Sequence, residues 1–250
     1  MSDVSVVLGD DQVATVEMHR PPNNFFDVAL VSAIADAYEE LQAGPCRAIV
    51  LCAEGRHFCA GADLTSGTER TVGELYANAL RLFEAELPVV AAVGGAAIGG
   101  GLGLALSADF RVASPESRFA ANFARLGFHH GFALTATLPD VVGQQTANWL
   151  LYTGRRIGGE EANEMGLCDR LVGATDEIRT GAHAMAAELA AAAPLSVRAI
   201  RATMRQGLAE RVRAATERES AEQNRLRTTQ DFREGVMASS ERRDPVFRGS

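Results

Sequence analysis

The segments His57-Phe58-Cys59-Ala60-Gly61-Ala62-Asp63-Leu64 and Ala96-Ala97-Ile98-Gly99-Gly100-Gly101 decide how this chain is read. Each follows a short continuous apolar run, residues 47–53 and 88–93, of the kind that forms a strand buried on both faces, and each leads into a helix-like stretch. A glycine-rich turn at such a junction aims bare backbone N–H groups outward, where the helix dipole favours negative charge. Two such turns, about forty residues apart, can hold one carbonyl oxygen between them. That is the design of an oxyanion hole, which stabilises charge as it develops on the oxygen. A glycine run at a strand end also serves tight turns and close helix packing, so neither segment carries the reading alone. Their order and shared flanks do.

Working outward, residues 4–8 and 13–19 read as two strands around a Gly9-Asp10-Asp11 turn. Asp27 is placed to cap a helix over 28–42, and a second helix is expected over 71–86, where Leu75, Ala79, Leu82 and Phe83 keep the spacing of one buried face. A further strand is expected at 110–113. From Gly143 the chain reads as helix after helix, with an apolar break at 168–172, helix starts at Thr175 and Pro194, and one long terminal helix over 214–239. The alanine-heavy stretch 184–193 suits a closely packed helix.

The composition excludes several classes of function. With 24 Lys plus Arg against 32 Asp plus Glu the net charge is −8, and no basic stripe is interleaved with aromatics, so neither nucleic acid nor an anionic membrane surface is an expected partner. Cys46, Cys52, Cys59 and Cys168 lack metal-site spacing, and Met1-Ser2-Asp3-Val4 has no secretory character. No charge-free apolar span reaches transmembrane length. A reducing cytoplasmic setting with free thiols is the simplest expectation.

These pieces, together with Arg20-Pro21-Pro22-Asn23-Asn24, Leu87-Pro88-Val89-Val90, Ala108-Asp109-Phe110-Arg111, Gly154-Arg155-Arg156-Ile157, Glu234-Gly235 and Glu241-Arg242-Arg243-Asp244-Pro245, occur in one order along the whole chain. In that order the chain resembles the enoyl-CoA hydratase/isomerase, or crotonase, superfamily. The resemblance implies an α/β fold: a crotonase-like ββα spiral core over residues 1–190 and a helical C-terminal region over 191–250 that serves trimerisation, in a homotrimer or a dimer of trimers. It implies a coenzyme A thioester as substrate, with coenzyme A as part of the substrate and no separate cofactor or metal. The thioester oxygen would lie between the N–H groups of Ala62 and Gly100. Arg20, Asn24, Ala60, Asp63 and Arg242 would lie along the coenzyme, although Arg242 and its neighbour Arg243 also read as solvated surface charges.

Hydratases of this family place two glutamates around the substrate double bond. The corresponding positions here are Gly103 and Phe123, neither of which can move a proton. The expected activity is therefore thioester enolate stabilisation with divergent acid–base residues, and the alternative is a non-catalytic acyl-CoA binding protein. His129 and His130, in Gly127-Phe128-His129-His130-Gly131-Phe132, are the candidate proton carriers; their ordinary reading is a pocket wall or a structural hydrogen bond. Asn122 suits either a water contact or a turn cap. Cys59 reads as a small buried apolar residue. Phe123, Phe128 and Phe132 suit an acyl tunnel or plain core.

Overall fold

The computed structural model describes residues 3–63 and 72–250. Met1, Ser2, Leu64 of the first glycine segment and Thr71 of the expected second helix lie outside the described residues.

β1 (Val4–Leu8) and β2 (Val13–Met18) form an antiparallel hairpin, and β2 pairs in parallel with β3 (Ala48–Ala53). β4 (Val89–Ala92) extends the sheet, which runs in the order β1-β2-β3-β4-β6-β9 with β6 at Phe110–Ala113 and β9 at Arg170–Leu171. Between β2 and β3 lies α1 (Val28–Gln42), and between β3 and β4 lies α2 (Val72–Glu84). Asp27 caps α1 as its position predicts, its carboxylate accepting from Leu30 N at 2.9 Å.

The continuous apolar runs of β3 and β4 follow from burial on both faces. Ile49, Leu51, Val89 and Ala91 join the main core with α1 and α2. Ala48, Val50, Cys52, Val90 and Ala92 face the other way, onto Ile178, Ala182, Ala186 and Ala190 of α7 (Ile178–Ala190). Alanine at every fourth position lets that helix approach the sheet closely, as the composition of 184–193 implies. In α2, Leu75, Ala79, Leu82 and Phe83 are buried as their spacing predicts.

A smaller sheet is not evident in the sequence. Gly94 and Gly95 turn the chain out of β4 into β5 (Ala96–Ile98), which pairs in parallel with β7 (Arg118–Ala120); β7 pairs antiparallel with β8 (Arg156–Gly158). The second glycine segment therefore begins as a strand of its own, and only Gly100 opens α3 (Gly100–Ser107).

Helices complete the chain: α4 (Leu134–Val142), α5 (Gln144–Thr153), α6 (Gly159–Glu164), α8 (Pro194–Met204), α9 (Leu208–Leu226) and α10 (Gln230–Glu241). The single helix expected over 214–239 is in fact two. Thr229 is extended, at φ −77° and ψ 158°, and its hydroxyl accepts from Phe232 N at 3.1 Å, so it caps α10 instead of continuing α9. The carbonyl of Ser250 then accepts from Gln230 N and Asp231 N, satisfying the first-turn donors of α10. Among the described residues no helix is long and apolar enough to cross a membrane, and the four cysteines are free and buried.

Candidate active site

The two glycine segments meet. Cys59 bridges to Ala97, with Cys59 N donating to Ala96 O at 2.9 Å and Ile98 N to Cys59 O at 3.0 Å. A Cβ on Gly101 would collide with the Cys59 carbonyl, so glycine there permits the approach. Gly61 has φ +94°, and a Cβ on it would lie 2.9 Å from Ile98 O and 3.9 Å from Gly100 N. The loop is fixed from outside by Ala60 N donating to Asn23 O and Phe26 N donating to Gly61 O.

At this junction a cavity of about 570 Å³ opens, with Ala60, Gly61, Ala62, Asp63, Gly99 and Gly100 on its wall. The N–H groups of Ala62 and Gly100 have no hydrogen-bond partner among the described residues, whereas Gly99 N and Gly103 N are both paired. Gly100 is the first residue of α3, so its N–H is one of the donors a helix leaves unsatisfied. Two unpaired amides from two loops thus share one cavity.

The remaining wall is mainly apolar and aromatic: Phe25, Phe26, Leu75, Ile98, Phe123, Leu126, Phe128 and Phe132. Phe26 and Phe132 meet edge to face at 5.2 Å, and a Cβ on Gly100 would strike the Phe26 ring. At Gly103 a Cβ would lie 2.5 Å from Phe132 Cβ and 2.7 Å from Phe132 O. That position is closed to any side chain, not only occupied by a small one.

The polar side chains of the wall include two groups. Arg56, His57, Arg118 and Arg156 form one, and none of the three arginines has an ion-pair partner among the described residues. The His57 Nδ1 is buried without a partner, and burial together with Arg56 and Arg118 holds the imidazole below its usual pKa. The second group contains Tyr76, Gln223 and Arg227. The Tyr76 hydroxyl donates to Gln223 Oε1 at 3.1 Å, and Gln223 Nε2 donates to His129 O at 3.1 Å. Burial raises the Tyr76 pKa, which keeps the phenol protonated.

His129 and His130 do not line the cavity as described. They stack at 4.1 Å; His129 Nδ1 meets the His130 carbonyl, and His130 Nε2 lies 2.8 Å from Thr135 Oγ1. Behind them is the buried Glu219, which accepts from Ala133 N, Thr135 N and Thr135 Oγ1 at 2.9, 2.9 and 2.7 Å. This carboxylate pins a strained turn, since Phe132 and Ala133 have φ of 58° and 62°. Burial pushes the Glu219 carboxyl up to about 7 against those three hydrogen bonds. Burial, aided by His129, pushes His130 down to about 4.

Of the other residues the sequence singles out, Asn24 is fully buried and holds the first loop, donating to Glu54 O and His57 O and accepting from Arg20 N. Arg20 pairs with Asp3 and Asp27. Arg242 ends α10 in a left-handed conformation and is exposed. Cys59 is a buried thiol whose pKa burial pushes up to about 12. The structure therefore brings Ala60, Ala62, Asp63 and Gly100 together on one wall, and leaves Arg20, Asn24, His129, His130 and Arg242 off it. Sequence reading missed Tyr76, Gln223 and Arg227. Their one visible signal is that Gln223 and Arg227 are four residues apart on a polar helix.

The chain belongs to the enoyl-CoA hydratase/isomerase family, whose family model matches residues 9–250. It is 35% identical over 245 residues to a probable enoyl-CoA hydratase of Rhodobacter capsulatus, covering 95% of each chain. It is 31% identical over 249 residues to a carnitinyl-CoA dehydratase of Proteus mirabilis, again covering 95% of each. Among solved structures it is similar to an enoyl-CoA hydratase/isomerase from Pseudoalteromonas atlantica, with a TM-score of 0.88 at 31% identity over 98% of this chain and 100% of that one. A carnitinyl-CoA hydratase from Mycobacterium avium gives a TM-score of 0.89 at 27% identity over the full length of both. The fold is accordingly the crotonase-type spiral with a helical C-terminal region.

Proposed function

We propose that this protein binds an acyl-CoA thioester with the carbonyl oxygen between the N–H groups of Ala62 and Gly100, and there stabilises the thioester enolate. The observation that carries this reading is the pair of unpaired amides on one cavity wall. The relatives' names, hydratase and dehydratase of CoA esters, support lyase-type chemistry on such a substrate. Losing one donor of such a hole typically costs about 3 kcal/mol of transition-state stabilisation. Coenzyme A is the handle of the substrate, and Arg56, Arg118 and Arg156, which have no ion-pair partner among the described residues, suit its phosphates. Arg20 and Asn24 serve by shaping the loop that carries Asn23 to the cavity, and Ala60 and Asp63 flank the thioester.

With Gly103 and Phe123 at the two glutamate positions, hydration by paired carboxylates is not the chemistry proposed. Protonatable side chains on the described wall are His57, Asp63 and Tyr76, and a proton step passes through one of them or through water. His129 and His130 support the loop from behind. The closure of Gly103 by Phe132 favours a second reading, a non-catalytic acyl-CoA binder. In either case the helical C-terminal region is proposed to assemble a homotrimer or a dimer of trimers.

Turnover of crotonyl-CoA and of 3-enoyl, β-diketone and malonyl-type CoA esters, measured beside calorimetric binding of the same esters, separates these readings. Turnover of any ester supports the enzyme; binding of all with turnover of none supports the binder. Failure of every ester to bind refutes both.

A further inference from the structure

The cavity contains a cation, Arg227, that no carboxylate among the described residues neutralises. Arg227 closes the C-terminal end of α9, four residues beyond Gln223, and both side chains reach the cavity wall. The Arg227 guanidinium lies over the Phe128 ring, 5.1 Å from its centroid, so the aromatic face holds the half-buried cation against the cavity wall. Its Nε is buried without a hydrogen-bond partner, and no carboxylate pairs with it among the described residues. Neighbouring arginines of the same helix are satisfied: Arg218 and Arg225 both pair with Glu222. Burial works against the Arg227 charge, so an anion arriving there would relieve an existing cost.

Its place in the cavity says which part of a ligand would supply that anion. A Cβ on Gly100 would lie 3.6 Å from Phe132, and one on the adjacent Gly131 would strike the Tyr76 hydroxyl, which itself bonds to Gln223. The polar zone of Tyr76, Gln223 and Arg227 is thus separated from the oxyanion amides by Phe132 and the apolar wall. The phosphate-suited arginines, by contrast, gather with His57 beside Gly95, where a Cβ would lie 2.7 Å from the His57 Nδ1.

From this arrangement we propose that Arg227 selects acyl-CoA thioesters whose acyl chain ends in a carboxylate. The proposal rests on the reading of the cavity as an acyl-CoA site and names its substrate class. A carboxylate fits the guanidinium fork and the donors around it, while the methylenes between it and the thioester lie along Phe26, Phe132 and Leu75. A plain fatty acyl chain would instead set a methyl group against a half-buried cation. The same anion chemistry is present in the phosphates of coenzyme A, so the test must distinguish the two sources.

Calorimetry of glutaryl-CoA, valeryl-CoA and free coenzyme A with the wild type, Arg227→Leu and Arg227→Lys does so. Glutaryl-CoA should bind the wild type about 10- to 100-fold more tightly than valeryl-CoA. Arg227→Leu should abolish that preference, Arg227→Lys should keep part of it, and free coenzyme A should bind all three proteins alike. Equal affinity of the wild type for the two esters would overturn the assignment of Arg227 while leaving the cavity reading intact. A loss of free coenzyme A affinity in Arg227→Leu as large as the loss for glutaryl-CoA would overturn it in favour of a phosphate contact. If no ester binds, the cavity reading falls and this proposal with it.

Discussion

Phe132 occupies the space that a side chain at Gly103 would need. A Cβ at Gly103 would come within 2.5 Å of Phe132 Cβ and 2.7 Å of its carbonyl oxygen, and backbone cannot yield as the end of a flexible side chain can. Phe132 is fixed in turn by its left-handed conformation, by its edge contact with Phe26 and by Glu219 holding the next residue. The absence of a side chain at this position is therefore a property of the whole loop. Gly103→Glu should restore no crotonyl-CoA hydration, and Gly103→Ala alone should destabilise the fold by about 1–3 kcal/mol, measured by denaturant unfolding. Hydration gained by Gly103→Glu would show that the loop moves aside.

Glu219 and His130 give stability opposite dependences on pH. The Glu219 carboxyl is raised to about 7 in the fold, so its ionisation costs nothing at low pH and progressively destabilises the protein as pH rises from the ordinary carboxylate range to about 7. His130 is lowered to about 4, so its penalty grows as pH falls from the ordinary imidazole range toward 4. In the wild type the two slopes largely cancel between about pH 4.5 and 6.5. His130→Asn removes one slope and should leave a protein that loses stability steadily from about pH 4.5 to 7 in urea titrations. A flat profile in that variant would mean that the Glu219 carboxyl titrates in the ordinary range.

Asp109 ties the helical region to the sheet. Its carboxylate accepts from Val89 N at 2.8 Å, from Arg201 Nε at 3.0 and 3.1 Å and from Arg205 at 2.7 Å, with all three side chains largely buried. Asp109→Ala leaves two arginines and a backbone N–H without their acceptor, for an expected loss of about 3–5 kcal/mol. Thermal or urea unfolding of the variant checks this; a change below about 1 kcal/mol, the scale of a surface ion pair, would contradict it.

The exposed face of α8 is the expected subunit contact. None of its residues is buried, and Leu195, Ile200 and Met204 are 80%, 62% and 79% exposed, more apolar surface than one isolated helix face usually shows to water. Sedimentation of the wild type should give a trimer or hexamer, and the double variant Ile200→Asp, Met204→Asp should shift it toward monomer. A monomeric wild type would contradict the proposed assembly.

Much of this architecture was legible because the larger sheet writes itself plainly: β3 and β4 are continuous apolar runs with a helix core on each side, and Asp27 marks the start of α1. The smaller sheet was not, because β5, β7 and β8 have three residues each, too few for a period to show. The division between α9 and α10 was signalled by Thr229 ahead of Gln230 and Asp231, a helix-start pattern hidden inside an otherwise continuous helical composition. At the site, glycine spacing pointed to two loops, and the family resemblance pointed within them to the amides of Ala62 and Gly100, which the fold places on one cavity wall. His129 and His130 drew attention by residue type, yet a histidine's role depends on which side of a loop it faces. Tyr76, Gln223 and Arg227 come from segments about 150 residues apart, and only the tertiary fold assembles them.

The central claim is that the amides of Ala62 and Gly100 grip one thioester oxygen. Its most direct test is the infrared difference spectrum of a bound acyl-CoA labelled with carbon-13 at the thioester carbonyl. Two converging donors should move that stretch to markedly lower frequency than in the same ester free in water, with the shift lost on free coenzyme A displacement. A bound ester whose carbonyl band stays at its solution position would contradict the account.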